Sequence, residues 1–340
     1  MQSAPRPATR DEVPILDLGP LNRGESLAGL AREMRRACET IGFFYVANHG
    51  VQQHIVDDLF DAARRYYSIP EEQRMPHKID DRFRRGFIPQ GIYKHPGYQP
   101  DLKEGYTFSL DLPLDDPDVQ AGRLLHGPNR WPEELPWFRP VAESYFRETL
   151  ALGNRLLRVL ALSLDLDEGF FLQWMKKPMA QTMLFHYTQQ PVPSDKQFGV
   201  APHTDYGMIT LLTQDPIGGL ELRKRDGDWI SAPWIENTFV VNLGDLIKVW
   251  TNDVYVSNLH RVVNRTGKER YSIPTFINMD YDTPVACVPS CRPAVGEPKY
   301  PPIKSGDYLL SRYKAVQSYD KPVDATLEQQ KGKTTQTAAY

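Results

Sequence analysis

"APHTDYGMITLLTQD" occupies residues 201–215 and sets His203 two positions before Asp205, at the edge of an apolar run. In an extended strand, residues i and i+2 face the same way. An imidazole and a carboxylate so spaced can aim at one point. The run that follows, MITLLTQ, is rich in β-branched and apolar residues and reads as a buried strand. The same texture extends in both directions from about 181 to 286. Its runs are TMLFHY, GLELRKRDGDWISA, TFVVNLGD, VYVSNLHRVV and RYSIPTFINMD, broken by Gly, Asp, Asn and Pro. Several short strands at close spacing predict a sandwich or barrel.

The first half of the chain reads differently. "SLAGLAREMRRACETIG" (26–42) places Leu27, Leu30, Ala31, Met34 and Cys38 at helical intervals, with Gly42 at the stop. A second helix is expected over about 53–67, and a long amphipathic one within 131–166, starting after Pro140. "VPILDL" (13–18) and "FFYVANHG" (43–50) read as strands, whereas 76–112 has no clean period and is expected to be a long irregular segment. The expected class is therefore α+β. A disordered N-terminus (1–12) precedes a mainly helical region (13–180), a β-rich domain (181–320) and a polar tail (321–340) that could act as a lid.

Composition excludes several classes. The chain has 340 residues and a formal net charge of −3, with both signs mixed along it and no basic tract, so a nucleic-acid partner is not expected. Three cysteines, Cys38, Cys287 and Cys291, are an odd number in a long chain and suggest free thiols in a reducing compartment. The start, MQSAPRPATRDEV, lacks an apolar signal region, and no stretch of 18 uncharged apolar residues occurs. A soluble cytoplasmic protein with no membrane partner is the expectation; oligomeric state is not legible.

A metal centre built on His203 and Asp205 needs a third ligand on a separate strand, and "SNLHRVV" supplies His260. Two histidines and one carboxylate on one face of an octahedral ion leave three positions open, the pattern of non-haem iron(II) oxygenases. Zinc could use the same ligands, but HExxH is absent, as are the GxSxG elbow and the P-loop of hydrolases and phosphoryl-transfer enzymes. Ten residues beyond His260, "ERYSIPTF" puts Arg270 and Ser272 at i and i+2. A guanidinium fork with an adjacent hydroxyl makes a socket for a carboxylate.

These stretches together, with "IGFFYVANHGV", "KEGYTFSLDLP", "GDWISAP" and "FVVNLGDL", resemble the isopenicillin-N-synthase-like branch of the iron(II)/2-oxoglutarate-dependent dioxygenases over about residues 13–313. The resemblance implies a double-stranded β-helix (jelly roll) core flanked by N-terminal helices. It implies Fe(II) on His203, Asp205 and His260, 2-oxoglutarate on Arg270, Ser272 and Tyr187, and O2 as the oxidant. Oxidative decarboxylation of 2-oxoglutarate to succinate and CO2 would then drive C–H oxidation (hydroxylation, desaturation or cyclisation) of a small organic substrate. Tyr106, Phe108 and Phe276 match substrate-lining positions of plant members. The chain departs from the pattern at Phe185, where many relatives carry an asparagine, which puts one hydrogen bond to the cosubstrate in doubt. Two other readings stay open: an iron oxidase of the isopenicillin-N-synthase type that does not use 2-oxoglutarate, and a non-catalytic jelly-roll binding protein. The segment 80–100 is expected to shape the cavity entrance.

Overall fold

The structure, a computed structural model, describes residues 4–80, 82–95, 97–189 and 196–317. The tail from 321, and the lid reading attached to it, lies outside the described residues.

Twelve strands form the two walls of the core. They are β1 (Ile15–Asp17), β2 (Phe43–Ala47), β3 (Gly86–Ile88), β4 (Glu104–Ser109), β5 (Gln181–Tyr187), β6 (Val200–His203), β7 (Ile209–Gln214), β8 (Leu220–Arg223), β9 (Trp229–Ala232), β10 (Phe239–Leu243), β11 (His260–Val262) and β12 (Arg270–Ile277). The larger sheet runs β1-β2-β10-β7-β12-β5-β4-β3 and the smaller β6-β11-β8-β9. From β5 to β12 the chain passes back and forth between the two sheets, apart from the β8–β9 hairpin, as a double-stranded β-helix requires. The helices α1 (Ala28–Thr40), α2 (Gln53–Tyr67) and α3 (Phe138–Ser163) cover the outer face of the larger sheet. On α3, Ala142, Tyr145, Phe146, Thr149, Leu152, Leu156 and Leu160 are buried at helical intervals. Each fully buried Leu or Phe on that face contributes about 1.5–3 kcal/mol of burial. Two further helices, α4 (Asp245–Trp250) and α5 (Ser305–Gln317), lie in the second half of the chain. No helix among the described residues is long and apolar enough to cross a membrane.

Three expectations are corrected. Residues 4–12 are pinned, not disordered: Ala8 N–H donates to the Ser231 carbonyl at 2.8 Å, Ser231 N–H to Arg6 at 2.9 Å, and Arg6 pairs with Glu12. The exposed edge of β9 supplies unpaired backbone groups, and the N-terminal segment satisfies them. The segment 76–112 holds β3 and β4, whose short lengths hid their period in a charged, Gly-rich context. Because β1 to β4 join the larger sheet, a boundary at 180/181 does not separate a helical unit from a β unit.

Candidate functional site

Between the sheets lies a cavity of about 350 Å3. Its floor is apolar, lined by Met183 and Phe185 of β5, Val200 of β6, Val262 of β11 and Phe276 of β12. His203 and His260 are direct partners across β6 and β11, so both side chains leave the smaller sheet on the same face, with ring centroids 4.2 Å apart. Strand β6 ends at His203, and Asp205 follows two residues on, ahead of the bend at 206–208 that leads into β7. Each imidazole Nε2 lies 3.7 Å from Asp205 Oδ1. One ligand atom from each of the three residues falls within 4.8 Å of the others, close enough to share one ion.

The surroundings fix which atoms face the centre. His203 Nδ1 lies 2.9 Å from the Ala201 carbonyl and His260 Nδ1 lies 3.1 Å from that of Asn258. A carbonyl only accepts, so each Nδ1 carries the proton and each Nε2 keeps its lone pair for a metal. Desolvation in the cavity, with His260 as the next cause, holds the His203 imidazole well below the usual histidine range and so keeps it neutral. Asp205 Oδ2 accepts from Thr210 Oγ1 at 2.5 Å and Asn242 Nδ2 at 2.7 Å, leaving Oδ1 toward the histidines. Thr210 and Asn242 are themselves register partners on β7 and β10. The histidines therefore ride on the smaller sheet while the carboxylate is tied to the larger one. The turn between them needs Gly207, because a Cβ there would sit 1.8 Å from Asn278 Oδ1, an atom that accepts Met208 N–H. This donor set, two imidazoles with Nε2 toward the centre and one oriented carboxylate, fits a first-row divalent metal such as Fe(II).

Arg270 is fully buried on β12. Its described hydrogen-bond partners are neutral oxygens: the Gly218 carbonyl, Ser272 Oγ at 3.0 Å and Gln214 Oε1 at 3.1 Å. Among the described residues no carboxylate hydrogen-bonds to it, so the buried guanidinium is costly and an incoming carboxylate offsets that cost. Tyr187 pairs directly with Arg270 across β5 and β12, and its ring lies 4.6 Å from the guanidinium carbon. Ser272 Oγ donates to the Tyr187 hydroxyl at 3.4 Å. Arg270, Ser272 and Tyr187 all line the same cavity as the metal-ligating group, which gives it a carboxylate socket at one end.

Phe276 lines the cavity, but Tyr106 and Phe108 do not. Both are buried on the opposite face of β4, against the helices. Tyr106 donates to the Arg130 carbonyl and packs edge-on to Phe138; Phe108 meets Trp131. Alternation correctly puts the two on one face, but register decides which face. Tyr106 pairs with Leu184 of the helix-facing core, whereas cavity-lining Phe185 pairs with Gly105. A Cβ at 105 would come within 3.2 Å of the Phe185 ring, so the glycine makes room for it.

Sequence reasoning missed Thr210 and Asn242, which only a known register would link to Asp205. It also missed Lys103, buried with its Nζ 3.3 Å from Asp101 and 4.4 Å from the Phe185 ring centroid. Segment 80–100 does border the cavity, through Asp80, Arg84, Ile88, Ile92, Tyr93, Lys94 and His95. Leu309 and Tyr313 of α5 close the other side and had no sequence signal.

Comparison with known proteins gives the same frame. Residues 179–279 match the family described as the 2OG-Fe(II) oxygenase superfamily, and residues 13–134 match the non-haem dioxygenase in morphine synthesis N-terminal family. The 2-oxoglutarate-Fe(II) type oxidoreductase hxnY of Emericella nidulans is 38% identical, covering 91% of this chain and 90% of its own. Kihadalactone A synthase LFS of Citrus sinensis is 33% identical, with coverages of 90% and 94%. A full-length Neurospora crassa protein solved with alpha-KG and thymine superposes with a TM-score of 0.80 at 29% identity, over 91% of this chain and 98% of that one.

Proposed function

This chain belongs to the iron(II)/2-oxoglutarate-dependent dioxygenases of the isopenicillin-N-synthase-like family, and on that premise we propose which of its residues carry the chemistry. The enzyme couples oxidative decarboxylation of 2-oxoglutarate to C–H oxidation of a small organic substrate, with Fe(II) and O2. His203, Asp205 and His260 would hold the iron, and Arg270, Ser272 and Tyr187 the far carboxylate of 2-oxoglutarate. The observation that carries this assignment is the convergence of two Nε2 lone pairs and one free carboxylate oxygen in the cavity that also holds a buried, carboxylate-free arginine.

Bound iron supplies oxygen activation. The chain's own residues do the rest. Thr210 and Asn242 take one oxygen of Asp205, so the carboxylate presents a single ligand atom and leaves room for other ligands. Arg270 and Ser272 orient the cosubstrate by a planar fork and a hydroxyl. Met183, Phe185, Val200, Val262 and Phe276 keep water from the reacting centre and give the substrate an apolar bed. Mixed-sign surface charge supports a reading without nucleic acid or an anionic membrane surface as partner.

The test is an anaerobic titration of the purified protein with Fe(II) and then 2-oxoglutarate, followed by the charge-transfer absorbance of the chelate. The same protein in air should then form succinate. Absence of the band in the wild-type protein would refute the iron and cosubstrate assignment, and a band whose 2-oxoglutarate dependence is unchanged in Arg270→Lys would refute the role given to Arg270.

A further inference from the structure

Arg84 stands at the rim of the cavity in a conformation that a non-glycine residue adopts at a cost. Its φ is 58°, in the left-handed region. Three contacts hold it there. Arg84 N–H donates to the Asp80 carbonyl at 3.1 Å, Phe83 N–H to Asp80 Oδ1 at 2.6 Å, and Gln181 Nε2 to the Arg84 carbonyl at 3.2 Å. The next residue, Arg85, anchors the turn from inside, fully buried and bonded to Asn129 and to the Phe83 and Leu125 carbonyls. The two neighbours thus have opposite fates. Arg85 is used up by the fold, while Arg84 is delivered to the cavity with its guanidinium carbon 4.5 Å from the Tyr313 ring centroid.

No carboxylate forms an ion pair with Arg84 among the described residues. Asp80, on the same wall, has Oδ1 engaged by Phe83. Of the other cations that line the cavity, Lys103 is paired with Asp101 and Arg270 is bonded to Ser272 and Gln214 in the cosubstrate socket, while Lys94 lies on the same segment as Arg84. Below Arg84 the wall is apolar: Ile79, Ile88, Phe276 and Leu309. A half-buried arginine on an aromatic platform, above an apolar bed, is a recognition site for an acid group on an apolar body. One guanidinium suits a monoanion.

We infer that the organic substrate is a small carboxylic acid whose carboxylate is held by Arg84 on the Tyr313 ring, with its apolar body directed down toward Phe276 and the metal-ligating group. This rests on the dioxygenase reading above and names the substrate class of that site. Recognition of the acid end fixes the distance from the carboxylate to the carbon that is oxidised.

The test uses matched pairs of probes, 4-phenylbutanoate with 4-phenylbutanamide and cyclohexylacetate with cyclohexylacetamide. Each is titrated against the full-length protein loaded with Fe(II) and 2-oxoglutarate without oxygen, reading the shift of the chelate's absorbance. Acids should bind on the order of tenfold or more tightly than their amides, the worth of a charge-assisted hydrogen bond. Arg84→Asn keeps the left-handed backbone, which asparagine tolerates, and should erase the preference; Arg84→Lys should restore part of it. Equal binding of acid and amide by the wild-type protein, or a preference that survives in Arg84→Asn, would overturn the inference. Failure of the dioxygenase reading is a separate result: the starting absorbance would never form.

Discussion

The floor of the cavity is set by paired strands, whereas its rim is set by a loop and a helix from distant parts of the chain. On the floor, His203 faces His260 across β6 and β11, and Arg270 faces Tyr187 across β12 and β5. A strand pair fixes side-chain direction at every second residue, so these positions tolerate little displacement. At the rim, Arg84 comes from a turn after the α2 region and Tyr313 from α5, and no ladder of hydrogen bonds joins them. On the proposed assignments the iron and cosubstrate sit where register controls geometry, and the substrate's acid end is held where it does not.

The largest effect should come from the floor. His203→Ala or His260→Ala should abolish iron retention and succinate formation while leaving far-UV circular dichroism and cooperative unfolding in place, because the ligands border an open cavity. Asp205→Glu should fail as well. Its extra methylene would drive the carboxylate into Thr210 and Asn242, which hold Oδ2 at 2.5 and 2.7 Å. Metal analysis of the purified variants checks this, and a variant with parental iron content and turnover would remove that residue from the ligand set.

Next in size is Arg270→Lys. Lysine offers a point charge where the site has a fork already oriented by Ser272 and Gln214. The 2-oxoglutarate requirement should rise by about 30-fold or more, equivalent to about 2 kcal/mol, with a much smaller change in the organic substrate's KM. Equal weakening of both would mean the arginine does not discriminate between the two ends of the cavity.

Thr210→Val should weaken iron binding about tenfold, in the range found for groups that orient a metal ligand. Its hydroxyl is the shorter of the two contacts on Asp205. Because valine is close to threonine in shape, β7 should pack as before, and a competitive chelator titration isolates the metal term. No loss in Fe(II) affinity would show that Asn242 alone suffices.

These differences follow what could be read from the chain. His203, Asp205, Arg270 and Ser272 announce themselves because each pair spans i to i+2 in an apolar run, and His260 because it stands in another such run. What spacing alone does not reveal is that Asp205, just past the end of β6, is tied to Thr210 and Asn242 of the larger sheet. Tyr106 and Phe108 have the same spacing and share a face, but periodicity carries no information on whether that face meets the cavity or the helices. Thr210, Asn242 and Tyr313 were invisible for a plainer reason. Their roles depend on partners 5, 37 or more residues away in sequence, which only the assembled sheets and α5 bring close.

The smallest effect, and the finest test of the floor, concerns Tyr187. Its hydroxyl lies 3.4 Å from Ser272 Oγ, a long hydrogen bond, and its ring lies under the Arg270 guanidinium. Tyr187→Phe removes the hydroxyl and keeps the ring, so the cation–π contact and the packing with Val200 and Val262 should persist. The loss of one polar contact to the cosubstrate should weaken 2-oxoglutarate binding by about 1 kcal/mol, roughly fivefold. Phe185, two residues earlier, offers the converse change. Phe185→Asn brings a donor onto the cavity face beside Ser272, its register partner, but removes the ring that lies 4.4 Å from Lys103 Nζ. If the cosubstrate's chelating end lies over this position, the asparagine should strengthen 2-oxoglutarate binding even as it loosens Lys103. Absorbance titration of the wild-type protein and the two variants separates these outcomes. Unchanged affinity in Tyr187→Phe would mean that Arg270 and Ser272 alone hold the far carboxylate, and that Tyr187 serves only as the platform beneath them.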